Sequence, residues 1–301
     1  LIFGHFLNHF LAYVLTVSLY ILAQDIPMSK AQAGLVGTVQ IILTAVFTFA
    51  IGIISDRWLK SKTLFIPLGI VLMAVSLFIA AMAQSYYILI ISAVIVGIGA
   101  SFYHPVAYAA IADLFETKKG ITMALNTAFG MIGTSIAPGL IGSMDKWIGW
   151  RNAYYIFGVL NLVIGFAIYY SFEKLIIYSH STEEIDIINH RKATMNLKQR
   201  MRRWLTEELV PVLNLMVIIC LVYGIFRSAV FRTTNQFLPF IFNEYYNYNL
   251  EQAGWLSSVI LIIGGFTSLL GGAMSDRYTT SLTMFSSSLG ISIMLLFLWL
   301  F

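Results

Sequence analysis

Three histidines and two arginines stand inside long apolar stretches of this chain, and they carry the chemistry it has to offer. A charged or titratable side chain in that setting is costly unless it meets water, an opposite charge or a ligand, so each one is a candidate for function, with a hydrogen-bonded packing role the alternative for any single histidine and a structural ion pair the alternative for the arginines. His5, His9 and His104 can gain or lose a proton near neutral pH and are candidate proton carriers. Arg227 and Arg232 stay cationic at any working pH and present a planar fork of donors that suits an anion such as a carboxylate or phosphonate. No Asp or Glu occurs near the middle of any apolar run, so neither arginine has an evident counter-charge within the chain.

Spacing groups these residues. At 3.6 residues per turn His5, His9, Ala12, Thr16 and Tyr20 share one helix face, with Asn8 beside them. His104 shares a face with Gly97, Ala100 and Ser101, and Pro105 after it has no N–H for the backbone ladder. Asn126, Gly130, Gly133 and Ala137 lie along a third face ahead of Pro138, and small residues there let another helix approach, with Gly265, Ser268 and Gly272 as a possible complement. His5, His9, His104 and Asn126 are expected at similar depth and in one pocket. Arg227, nearer the middle of its run, is expected to be the main anion-binding or gating residue, with Arg232 and Asn235 secondary. His5-x-x-x-His9 with His104 also has a spacing compatible with metal ligation, but HExxH and nearby carboxylates are absent, and Cys220 is the sole cysteine. The sequence therefore assigns no metal, no cofactor and no enzymatic reaction, and reads Cys220 as a packed thiol.

The elements that position these groups are membrane helices. With 59% apolar residues and only 11% charged, the chain departs far from a soluble balance. Its apolar runs are about 20 residues long, the length a helix needs to cross the hydrocarbon core, and the alternating ten-residue segments of a barrel are missing. Nine spans are predicted, at 2–23, 32–55, 63–83, 86–112, 120–142, 152–172, 210–241, 252–274 and 282–301. Of the 18 Lys and Arg, 13 fall in one set of alternate loops and only Lys30, Lys146 and Arg151 in the opposite set. That asymmetry puts the richer side in the cytoplasm, so the net charge of +4 reports topology and gives no reason to expect nucleic acid as a partner.

One motif occurs twice in a single register. Gly52-Ile-Ile-Ser-Asp56-Arg57 returns 220 residues later as Gly272-Ala-Met-Ser-Asp276-Arg277, and Gln32-Ala33-Gly34 returns as Gln252-Ala253-Gly254. Two membrane halves built on one plan follow: residues 1–172 as a six-helix half, 173–208 as a polar cytoplasmic linker, and 209–301 as three helices of a second half. By that plan the chain is truncated to about nine of twelve helices.

Gly52-x-x-x-Asp56-Arg57-x-x-Lys60-x-Lys62 resembles the signature loop of the major facilitator superfamily, and Gly272 to Arg277 resembles its second-half copy. Within that superfamily His5-x-x-Asn8, Phe102-Tyr103-His104-Pro105 and the Gly130 to Pro138 stretch are similar to the fosmidomycin-resistance branch of drug exporters. The resemblance implies an all-α fold and a latch between halves at Gly52, Asp56, Arg57, Lys60, Gly272, Asp276 and Arg277. It also implies a monomeric, lipid-embedded carrier of the cell membrane that moves a small solute, with protons as coupling ion. Gly133-x-x-x-Ala137-Pro138-Gly139 resembles the antiporter motif of helix 5 with Ala137 where glycine is usual, and Ala93 stands where many drug–proton exporters carry an arginine. Export of a drug or organic anion is the leading expectation, uptake by symport the alternative, and a non-transporting sensor a distant third.

Overall fold

A computed structural model describes residues 1–57, 62–115, 119–176, 206, 215–278 and 280–300, and among them every regular element is helical. The first six spans are built by α1 (Ile2–Val17) with α2 (Leu19–Asp25), α3 (Lys30–Arg57), α4 (Lys62–Ala81), α5 (Tyr86–Ser101) with α6 (Tyr103–Leu114), α7 (Lys119–Ile148) and α8 (Trp150–Ile176). Three more follow as α9 (Leu215–Glu244), α10 (Leu250–Arg277) and α11 (Thr280–Leu300). Seven of the described helices are long and apolar enough to cross a membrane, and the bent pair α1/α2 makes an eighth. In α11 the apolar segment Ser281–Met294 is shorter. The polar stretch expected as a linker lies outside the described residues, apart from Thr206 and the end of α8.

Two predicted spans are broken. The first bends by 41° between α1 and α2. At the break the Ser18 hydroxyl donates to the Val14 carbonyl at 2.5 Å, beside the Ser18 N–H that also donates to it at 3.3 Å, and shares a short hydrogen bond with the Tyr154 hydroxyl, so the side chain ties the bend to α8. The fourth span is interrupted at Phe102, where Pro105 has no N–H to offer the Ser101 carbonyl.

The duplicated motif is matched by duplicated structure. Helices α3 and α10 are each 28 residues long, at the 220-residue offset. Both begin with a reciprocal cap: Ser29 N–H donates to Gln32 Oε1 at 2.8 Å and Gln32 N–H to Ser29 Oγ at 3.2 Å, while Asn249 and Gln252 do the same at 3.1 and 2.8 Å. The starts of both helices lie at one end of the bundle, because Lys30 pairs with Glu244 at 2.5 Å and Lys146 with Glu251 at 2.6 Å. Helices of equal length that run the same way carry both motif copies to the far end. The side chains of Asp56, Arg57 and Asp276, the residue Lys60 and the contacts of Gly272 lie outside the described residues, and so does the latch expected there. Arg277 stacks over Tyr278 at 5.7 Å.

The core lies among the first six spans, where Leu11, Val14, Leu15 and Leu19 are fully buried. The small-residue face of α7 packs differently from the sequence expectation. Gly130 and Gly133 receive α1, where an added Cβ at Gly130 would lie 2.8 to 3.0 Å from the His5 ring and one at Gly133 would meet the Phe6 carbonyl. It is Gly139 and Gly142 that receive α10, through Trp255 and the Leu250 carbonyl. The α1 pairing places a titratable ring where only glycine leaves room.

Candidate functional site

The three histidines meet. His5 and His9 sit one turn apart on α1, and His104 lies in the first turn of α6. Their ring centroids are 4.5 Å apart for His5 and His9, 5.1 Å for His5 and His104, and 5.5 Å for His9 and His104, with planes near perpendicular. Asn126 joins them as expected from its spacing: its backbone carbonyl lies 2.6 Å from His5 Nδ1, and its Oδ1 accepts from the Tyr103 hydroxyl at 2.6 Å. Tyr103 also stacks on His5 at 4.8 Å. His9 Nδ1 lies 3.0 Å from the Thr134 hydroxyl of α7. His5 is buried, whereas His9 and His104 are partly exposed, so the cluster has an open side.

Asn8 serves the site indirectly. Its Nδ2 donates at 3.1 Å to the carbonyl of Ala100, which belongs to the unpaired end of α5, and so holds the break that presents His104.

The two arginines part company. Arg232 lines a small pit with Tyr13, Thr16, Gln40 and Gln236, where α1, α3 and α9 converge. It also faces a cavity of about 830 Å³ between α3 and α9, bounded by Gly34, Thr38 and Thr44 on one side and Ile225, Ala229 and Gln236 on the other. Arg227 and Asn235 line a different cavity, of about 880 Å³, against Tyr223 and the Ser287, Ser288 and Ser292 face of α11. Arg227, expected to be the main anion-binding or gating residue, lines this second cavity, whereas Arg232 lies against Tyr13 and Thr16 of the helix that carries His5 and His9. Five residues separate the two, roughly 140° around a helix, so they look in different directions. Cys220, expected to be packed, is exposed and borders the same cavity as Arg232.

Composition alone hid Gln40 and Gln236. Gln40 Nε2 donates to the Ala12 carbonyl at 2.6 Å, and Gln236 Nε2 to the Ala33 carbonyl at 2.8 Å. The repeat would have found Gln236 and Arg232 both. Moving the α1 face of His5, His9, Ala12, Thr16 and Tyr20 forward by 220 residues gives Ile225, Ala229, Arg232, Gln236 and Phe240. Tyr20 and Phe240, related by that offset, are in ring contact at 6.2 Å.

Around this site the α1–α8 set and the α9–α11 set are joined mainly at the end where α3 and α10 begin. There the Tyr20 hydroxyl donates to the Leu250 carbonyl at 2.8 Å, Trp255 Nε1 to Ser143 Oγ at 2.8 Å and Gly139 N–H to Ser258 Oγ at 2.8 Å. The ion pairs Lys30–Glu244 and Lys146–Glu251 close the rim, where exposed pairs contribute about 0–1 kcal/mol each. Such contacts are easily exchanged for water.

The Major Facilitator Superfamily profile matches residues 1–301, and the chain belongs to that superfamily. It is an integral membrane protein with the all-helical fold of that group. It is 24% identical over 281 residues to a protein named "Probable sulfoacetate transporter" from Cupriavidus necator, covering 90% of this chain and 63% of that relative. A drug efflux pump of Mycobacterium tuberculosis is 25% identical over 114 residues, or 37% of this chain and 22% of the pump. Among solved structures, a D-xylose–proton symporter superposes with a TM-score of 0.67 at 14% identity, covering 92% of this chain and 68% of that one. This chain thus spans less than two thirds of the length of the sulfoacetate relative.

Proposed function

We propose that this protein is a secondary active transporter that moves a small organic anion across the cell membrane by alternating access, coupled to protons and running outward. The observation that carries the reading is Arg232, a permanent cation set among Tyr13, Thr16, Gln40 and Gln236 where the two helix sets meet. A guanidinium inside a membrane span is costly, and an anionic solute is the counter-charge that offsets it. The relative named for sulfoacetate, itself an anion, matches 90% of the chain, whereas the drug pump matches 37%, which supports an organic anion over a lipophilic drug.

On this reading residues 1–172 form one half, 173–208 a cytoplasmic linker and 209–301 the helices of the other half. Arg232 attracts the solute, the histidines exchange protons, and the protein transforms nothing. The side rich in Lys and Arg is cytoplasmic, so the joined end is extracellular and the described state is closed to the outside. Gly52, Asp56, Arg57 and Lys60 with Gly272, Asp276 and Arg277 form the opposing cytoplasmic latch. The likeness of His5-x-x-Asn8 and Phe102 to Pro105 to the fosmidomycin-resistance exporters supports the outward direction. Uptake of the same anion by symport is the second reading, favoured by Ala93 and Ala137 at positions where drug–proton exporters and antiporters carry Arg and Gly.

The test is transport by the protein reconstituted as a monomer in lipid vesicles with an imposed pH gradient, against panels of carboxylates, sulfonates, phosphonates and lipophilic cations. Gradient-dependent movement of at least one anion and of no lipophilic cation is expected, with the direction distinguishing exchange from symport. Movement of lipophilic cations alone overturns the anion reading.

A further inference from the structure

The tautomers of two histidines are fixed by their partners. A backbone carbonyl only accepts, so the 2.6 Å contact of His5 Nδ1 with the Asn126 carbonyl puts the proton of neutral His5 on Nδ1 and leaves Nε2 as a bare lone pair. That Nε2 is buried and has no hydrogen-bond partner. The Thr134 hydroxyl donates its one proton to the Gly130 carbonyl at 3.2 Å, so toward His9 Nδ1, at 3.0 Å, it accepts. His9 Nε2 is then a second bare lone pair. His104 adds a third imidazole, and the ligand atoms of all three lie within 4.8 Å of one another.

Neutral imidazole lone pairs repel one another, and a neutral His104 can turn its single N–H to only one of the other two. One shared proton satisfies two of them. A metal ion satisfies three. From this geometry we infer that His5, His9 and His104 form a site for a divalent late first-row transition metal of the Zn²⁺ type. Imidazole nitrogen suits zinc, copper and nickel, while magnesium and calcium require oxygen ligands that this cluster lacks. Three histidines with an open fourth position is an established donor set for zinc, and ligating histidines ordinarily donate their other ring N–H to a carbonyl or another acceptor, as His5 and His9 do here. Metal–nitrogen bonds of about 2.0–2.1 Å set the ligand atoms about 3.3 Å apart in a tetrahedral site, a contraction within reach of side-chain rotation. Partial exposure of His9 and His104 gives the ion an entry side. The metal and the transported proton would compete for the same lone pairs.

The inference does not require transport, and its test reads binding alone. The purified chain, carrying an affinity tag without histidine and with His180 and His190 replaced by alanine, is titrated in detergent with Co²⁺ and separately with Cu²⁺. One Co²⁺ per chain with visible ligand-field absorption is expected, and pulsed electron paramagnetic resonance of the Cu²⁺ form should count at least two imidazole nitrogens. His104→Ala should abolish the absorption. Thr134→Val, which removes the acceptor behind His9 and no ligand, should weaken Co²⁺ about 10- to 100-fold. The Cu²⁺ count is made on a chain with all three histidines intact, so a failure of variants to fold does not shield the inference. Fewer than two imidazoles on Cu²⁺, or a Co²⁺ affinity unchanged by His104→Ala, overturns it. Metal binding by a chain that moves no anion would instead overturn the proposed function alone.

Discussion

Replacing Arg232 with alanine is expected to lower the apparent affinity for a transported anion roughly ten- to a hundredfold, while Arg227→Ala leaves it within twofold or so. A hydrogen bond to a charged group contributes about 1.5–3 kcal/mol, and that range sets the size of the loss. The contrast between the two arginines is the informative part, since both are cations in the same helix. Only Arg232 lies with Tyr13, Thr16, Gln40 and Gln236 at the junction of α1, α3 and α9, and Arg227 faces the serines of α11. Arg232→Lys should recover part of the affinity, because it keeps the charge and loses the planar fork. The measurement is concentration-dependent counterflow in vesicles for wild type and each variant. Equal losses at Arg227 and Arg232 would show that the anion is held by general positive potential and that the pit is no binding site.

The second large effect is expected at His104. His104→Ala should leave exchange of solute on the two sides intact but remove its acceleration by an imposed pH gradient. His104 is the candidate because it is partly exposed, whereas His5 is buried with Nδ1 tied to Asn126. The rings that contact it are His5 and His9 from α1 and Tyr103 and Tyr108 from its own helix. Counterflow and gradient-driven uptake measured on the same vesicles separate the two steps. Gradient-driven uptake at the wild-type rate in His104→Ala would assign the proton to another group.

Much of this architecture is legible in the sequence because membrane insertion leaves few alternatives. The backbone must pair with itself in lipid, so apolar length alone predicts the helices. The repeat predicts α3 and α10 as matched helices, with bounds of 32–55 and 252–274 that fall two or three residues short at each end; the reciprocal caps at Ser29 and Asn249 emerge only in the fold. The meeting of His5, His9, His104 and Asn126 is legible from helical phase. What escapes is set by contacts that spacing does not record. Ser18 reads as an ordinary polar residue until Tyr154 is placed against it. Arg227 looks more central than Arg232 by position along the span, yet rotation about the helix decides which cavity each one sees. Gly130 and Gly133 read as a generic small-residue face, and only the fold shows that the His5 ring and the Phe6 backbone occupy the space.

The account requires the two helix sets to separate at the end where Lys30 meets Glu244 and Lys146 meets Glu251. The most direct measurement is the distance between spin labels at Trp147 and Tyr246, both exposed at that end, in a chain whose Cys220 is replaced by alanine. A single short distance is expected in the solute-free protein, with a second, longer population when a transported anion and a pH gradient are supplied. One unchanged distance under every condition, in vesicles that still transport, would contradict alternating access at this interface.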